Sequence, residues 1–120
     1  MHLNNIELGK LGEDIATVYL KDLGYEILIR NWRCKRVELD IVARIDSTLV
    51  FCEVKTRRST SYGTPSDAIT PLKLQHIKTA ALHWLSNNPS RHQGIRFDAI
   101  SVIYSCGKPT TINHIKGIEQ

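Results

Sequence analysis

The sequence predicts a single α/β domain over residues 1–120, with a mixed five-stranded sheet flanked by helices in the order α-β-β-β-α-β-β. Three observations carry this. Apolar residues recur at helical spacing near the N-terminus and again after residue 70. Alternating segments rich in β-branched residues lie between and after them. The second helix also intervenes between two strand segments, as a crossover joining parallel strands requires. A chain of 120 residues buries one core and is too short for two ordinary ones.

The first helix is predicted from Asn5 to Leu23, where Leu8, Leu11, Ile15, Tyr19 and Leu23 form a stripe and Gly24 is the expected stop. "YEILIRN", Tyr25 to Asn31, alternates and reads as a strand. "VELDIVARIDSTLVFCEVKTR", Val37 to Arg57, reads as two strands about a turn. "RRSTSYGTPSDAIT" is polar, carries Gly63 and Pro65, and reads as an exposed loop with one helical turn after Ser66. Thr70 then caps, and Pro71 opens, a second helix through Leu85, with Leu74, Ile77, Ala81, Trp84 and Leu85 as its buried stripe. "NNPS" ends it. "IRFDAISVIYS" is a strand, and "TTINHIKGI" a short partner across the turn at Gly107 to Pro109.

Composition narrows the function classes. Hydrophobic residues at 42% and charged ones at 23% describe a globular chain rather than a disordered one. No run approaches membrane-spanning length, and "MHLNNIELGK" lacks the features of a secretory signal, so no membrane partner and a cytoplasmic location are expected. Cys34, Cys52 and Cys106 are an odd number without a C-x-x-C pair, which argues against a disulfide framework or a zinc knuckle; Cys52 reads as a small core residue. The five histidines form no metal-binding spacing. Sixteen Lys and Arg against twelve Asp and Glu, a net charge of +4, lean toward a nucleic-acid partner.

The hairpin carries charges where a sheet usually buries aliphatic side chains. Glu38, Asp40 and Val42 share one face of their strand, as do Leu49, Phe51, Glu53 and Lys55 of theirs. A two-residue loop at Asp46 and Ser47 pairs Ile45 with Thr48, and so sets Asp40 opposite Glu53 and Glu38 opposite Lys55. A four-residue loop gives the same pairing; a three-residue loop breaks it. In the paired register three carboxylates meet one ammonium, and two like charges ~4 Å apart repel by about 4 kcal/mol at an effective dielectric near 20. A divalent cation would compensate, and oxygen ligands without thiolate or imidazole favour Mg²⁺ or Mn²⁺ over zinc. The plain alternative is a half-solvated hairpin with a Glu38–Lys55 ion pair. Against it, "LVFCEVK" is apolar on both faces until Glu53, as in a buried central strand that acquires charge only at its end.

With "GKLGED" on the first helix, then "VELDIVA", "VFCEVKTR" and "RFDAI", the chain resembles the YraN-like proteins of the PD-(D/E)xK nuclease superfamily. That resemblance implies a restriction-endonuclease-like fold, akin to archaeal Holliday-junction resolvases, and a metal-dependent endonuclease acting on DNA, including branched recombination or repair intermediates. It makes Asp40, Glu53 and Lys55 the motif residues, Glu13 the first-helix glutamate, and Glu38 the acid two before the aspartate. Asp40 and Glu53 would then hold Mg²⁺ or Mn²⁺, with Glu13 joining through water and the Val54 carbonyl as a further ligand, and Lys55 would orient the attacking water. Where the family usually has glycine, this chain has Val37. Glu13 shares a helical side with the small residues Gly9 and Ala16, which suits close approach; an exposed helix glutamate is the alternative. Asp98 reads as a supporting acid of the site or, preferably, a structural one.

Arg30, Arg33, Lys35 and Arg36 around Trp32, together with Arg57, Arg58 and Lys73, are the candidate phosphate contacts. Each also has an ordinary reading as a solubilising or edge-protecting charge, and Trp32 as core. A homodimer is compatible with the resemblance. Two rivals remain at this level: a nucleic-acid-binding module of the same fold without catalysis, and an adaptor domain whose charged hairpin meets a protein.

Overall fold

The computed structural model describes residues 3–59 and 69–118. Helix α1 spans Asn5–Asp22, and β1 (Glu26–Cys34), β2 (Val37–Ile45) and β3 (Thr48–Arg57) follow. Helix α2 spans Pro71–Asn87 and precedes β4 (Gly94–Ile103) and β5 (Thr111–Ile115). The element order is the predicted one. The expected loop around Gly63, Pro65 and Ser66, with its helical turn, lies outside the described residues. No described helix is long and apolar enough to cross a membrane.

Local chemistry explains the helix ends. Asn4 caps α1 in a reciprocal box with Glu7: the Glu7 N–H donates to Asn4 Oδ1 at 2.8 Å and the Asn4 N–H to Glu7 Oε1 at 3.0 Å. At the other end Gly24, at φ +94°, lets Tyr25 N–H reach the Leu20 carbonyl and Gly24 N–H the Lys21 carbonyl, both at 3.0 Å. In α2, Thr70 Oγ1 accepts from the Lys73 N–H at 3.1 Å and Pro71 stands in the first turn, where its missing N–H costs nothing.

The sheet runs β1-β2-β3-β4-β5, antiparallel except for the parallel pair β3 and β4 that α2 connects. As its apolar run predicts, β3 is central, and Leu49 to Cys52 are buried. The helices cover opposite faces. Ala16 and Leu20 of α1 pack with Ile41, Val50, Cys52 and Ile100, whereas Ile77, Ala81 and Trp84 of α2 pack with Leu39, Val42, Phe51 and Phe97. Trp32 is half-buried against this second cluster, so its role is packing.

Candidate metal and nucleic-acid site

The β2–β3 ladder begins at Ile45 and Thr48 around a two-residue turn, with Asp46 at φ +53°, and runs to Ile41 and Cys52. It is the predicted register, and Asp40 and Glu53 come next. There the strands part. β1 stays paired with β2 to Cys34 and Val37, and β3 stays paired with β4 to Arg57 and Ile103. In place of the next ladder bond, a side-chain oxygen of Asp40 accepts the Val54 N–H at 2.8 Å. Strict alternation also fails here, since Leu39 and Val42 pack on the α2 side while Ile41 between them packs on the α1 side.

The wedge gathers acids. Burial, then repulsion from Glu53, push the Asp40 carboxyl up to about 8 against the pull of the Val54 N–H; the two carboxyls share a hydrogen bond, and Glu13 adds to the repulsion. Glu53 is also held from α2, where Lys73 Nζ stands 2.9 Å from its Oε1. That hydrogen bond is the main reason the Lys73 pKa is raised. Glu13, on α1, accepts from Arg30 Nη2 at 3.2 Å, and Arg30 reaches on to Asp14 at 2.6 Å.

Glu38 and Lys55 do not meet as the hairpin register suggested. Because β2 has already left β3, the neighbour of Glu38 is β1, and it pairs with Arg33 at 3.0 Å. Lys55 is exposed at the groove rim. Among the described residues no three His, Cys, Asp or Glu side chains converge as a ready metal cage. The Asp40–Glu53 pair nonetheless fits Mg²⁺, which is commonly held by one or two carboxylates and keeps several waters. Their mutual repulsion is the kind a cation relieves.

Asp40 lies in the wall of an open groove of about 1260 Å³ between α1 and the ends of β1–β3. Lys10, Arg30, Arg33, Lys55, Arg57 and Arg58 line it, around Glu13, Asp14, Glu38 and Asp40. Arg58 bridges to α1 by donating to Asn5 Oδ1 at 3.0 Å and to the Leu3 carbonyl. Of the cations expected to follow phosphates, Arg30, Arg33, Arg57 and Arg58 share this groove. Lys35 and Arg36 do not line it; they occupy the β1–β2 turn. Lys73 engages Glu53 from the α2 side. Sequence reasoning missed Lys10, whose signal was its place three residues before Glu13 on one helical face.

Asp98 is not in this cluster. Fully buried, it takes Arg96 Nε at 2.8 Å, His114 Nε2 at 2.7 Å and the Gly117 N–H at 3.1 Å. His114 Nδ1 in turn lies 2.9 Å from Tyr19 Oη, and Arg96 Nη2 donates to Tyr25 Oη at 2.7 Å. Asp98 is thus a structural acid that ties α1, β4 and β5 together. Arg96 and Asp98 are two residues apart on β4, but His114 reaches Asp98 through the β4–β5 pairing and Tyr19 and Tyr25 join only in the folded chain, so no local pattern announces the whole network.

Comparison with known proteins places the chain. A family model described as uncharacterised protein family UPF0102 matches residues 12–102. A UPF0102 protein of Nocardia farcinica is 46% identical over 111 residues, covering 92% of this chain and 87% of the relative. One from Pelobacter propionicus is 50% identical over 114 residues, covering 93% and 81%, and one from Geotalea daltonii is 46% identical over 113 residues, covering 94% and 89%. The matched span runs from α1 into β4 and holds Glu13, Asp40, Glu53 and Lys55, and on these matches the chain belongs to the UPF0102 family.

Proposed function

We propose that this chain is a metal-dependent nuclease of the PD-(D/E)xK type, hydrolysing phosphodiester bonds in DNA, with branched recombination or repair intermediates as candidate substrates. One observation carries the reading: a carboxylate pair at the parting of two strands beside an open groove that six cations line among the described residues. Cationic walls attract the phosphate backbone, and an acidic wedge attracts the divalent cation that phosphate chemistry needs.

Asp40 and Glu53 would hold Mg²⁺ or Mn²⁺, with Glu13 joining through water and the Val54 carbonyl as a further ligand. When bound, the ion would polarise the scissile phosphate and acidify a water. Lys55, at the rim on the same strand as Glu53, orients that water and offsets charge developing on the phosphoryl oxygens. Arg30 steadies Glu13, and Lys73 holds Glu53 in place before substrate arrives.

The test is cleavage of duplex, flap and four-way-junction DNA with Mg²⁺ or Mn²⁺, using the wild type and Asp40→Asn. The expected result is metal-dependent cleavage by the wild type and none by the variant. A wild type that cuts no substrate with either metal refutes the nuclease reading. A second reading, a DNA-binding module without catalysis, is favoured by the Lys73–Glu53 ion pair, which already supplies Glu53 with a cation. It predicts DNA binding without cleavage, and unchanged DNA affinity when Mg²⁺ is removed.

A further inference from the structure

The β1–β2 ribbon runs farther than the sheet that carries it. Its ladder continues to Cys34 and Val37, whereas β2 leaves β3 beyond Ile41 and Cys52. The outer part of the ribbon is therefore a two-stranded arm free of β3. At about 3.3 Å per residue, Arg36 stands roughly 13 Å from Asp40 along the strand.

The two faces of the arm differ. Trp32, Val37 and Leu39 pack against the α2 cluster, which sets its angle to the sheet. On the groove side Arg33 and Glu38 form their cross-strand pair while remaining 78% and 51% exposed. Beyond them the turn presents Lys35, at φ +57°, and Arg36, both exposed. A narrow ribbon with an anchored apolar face and a cationic tip has the shape that the major groove of B-form DNA admits, about 12 Å wide and 8.5 Å deep. The deep, narrow major groove of A-form RNA does not admit it.

We propose that the β1–β2 arm grips double-stranded B-form DNA: with one backbone lying along the groove, Lys35 and Arg36 reach into the flanking major groove and contact its phosphates. This rests on the proposed nuclease reading of the same site and adds the substrate form, a duplex arm beside the scissile bond. Arg33, held outward by Glu38, continues the cationic path from the groove to the tip.

The experiment is fluorescence anisotropy in EDTA with a labelled DNA duplex of about 20 base pairs, roughly two helical turns, as probe, its single strand, and an RNA duplex of equal sequence. The wild type is compared with a Lys35→Asn, Arg36→Ser double variant, chosen because asparagine tolerates the left-handed turn position, and with Arg36→Glu as a second probe of the tip. The double variant should bind duplex DNA about tenfold more weakly, with a salt slope lower by about two, and the single strand within about twofold of wild type. Arg36→Glu should weaken duplex binding further. Equal losses on duplex and single strand, no loss on duplex DNA, or wild-type preference for the RNA duplex overturns the arm. Failure of the nuclease reading looks different: wild type then binds duplex DNA and loses affinity in the arm variants, yet cuts nothing with Mg²⁺. A wild type that binds none of the three probes overturns the arm, while the nuclease reading stands or falls on cleavage with Mg²⁺ or Mn²⁺.

Discussion

Asp40 occupies the point where β2 would otherwise make its next bond to β3, and the Val54 N–H binds its carboxylate instead. Its pKa, pushed up to about 8, lies above the ordinary aspartate value of 3.8. The folded state therefore retains a proton that the unfolded chain releases, and without metal its stability falls as pH rises from about 4 toward 8. Thermal melts in EDTA should show Asp40→Asn melting several degrees above wild type at pH 8 and level with it only below about pH 4, since each kcal/mol moves Tm by about 4–8 °C. Mg²⁺ should raise the wild-type Tm at pH 8 and leave the variant unmoved. Identical pH 8 melts in EDTA would show that the carboxylates do not clash. Lys55 separates the readings differently. Lys55→Ala should abolish cleavage while calorimetry finds Mg²⁺ affinity nearly intact, and Lys55→Arg should not restore full rate, because a planar fork replaces a compact ammonium. Wild-type cleavage by purified Lys55→Ala would remove Lys55 from the mechanism.

At the scale of elements, the approach of α1 to β3 is set by one glycine. A Cβ on Gly12 would lie 1.8 Å from Thr56 Oγ1, 2.5 Å from its Cγ2 and 2.7 Å from its Cβ. Helical spacing pointed instead to Gly9 and Ala16 as the close-approach residues. Ala16 is indeed fully buried, but a Cβ on Gly9 would meet nothing within 4 Å among the described residues, since Gly9 borders the open groove. Gly12→Ala should thus lift α1 and carry Glu13 away from Asp40. Overpacking of this kind costs about 1–3 kcal/mol, enough to outweigh the roughly 1 kcal/mol that alanine gains in helix propensity. Urea unfolding should find the single variant destabilised and a Gly12→Ala, Thr56→Gly pair partly restored relative to it. A Gly12→Ala protein as stable as wild type would mean that Thr56 turns aside at no cost.

Over the whole molecule, two acids of opposite character divide the labour. Asp40, crowded by Glu53, holds its proton at the groove, whereas Asp98 is ionised and satisfied on every side. Burial alone would raise the pKa of Asp98, but hydrogen bonds from His114, Arg96 and the Gly117 N–H outweigh it and hold the carboxyl below its usual value. Its contribution is therefore present above about pH 4, the unfolded value, and is lost as pH falls through the folded one. Asp98→Asn should cost about 3–5 kcal/mol, as breaking a buried ion pair does, and should flatten the acid limb of the stability profile below pH ~4. Chemical denaturation from pH 3 to 7 measures both. An unchanged acid limb would show that other carboxylates govern acid unfolding.

The elements and the candidate chemistry were legible in local sequence. Periods of 3.6 and 2, the Thr70–Pro71 start, Gly24 and the short Asp46–Ser47 turn are local signals, and local backbone preference acts before any long-range contact forms. Glu53 and Lys55 were conspicuous because charge ends an otherwise apolar central strand, and Glu13 because a motif order pointed to it. Tertiary structure alone decided which charges meet. The strands part after Ile41 and Cys52, so Glu38 turns to Arg33 rather than Lys55, and the helix crossover brings Lys73 to Glu53. Asp98 finds His114 only because β4 and β5 pair in one register. An ion pair depends on distance in space, and that distance is set by the close packing of two helices on a twisted sheet, which no local pattern encodes.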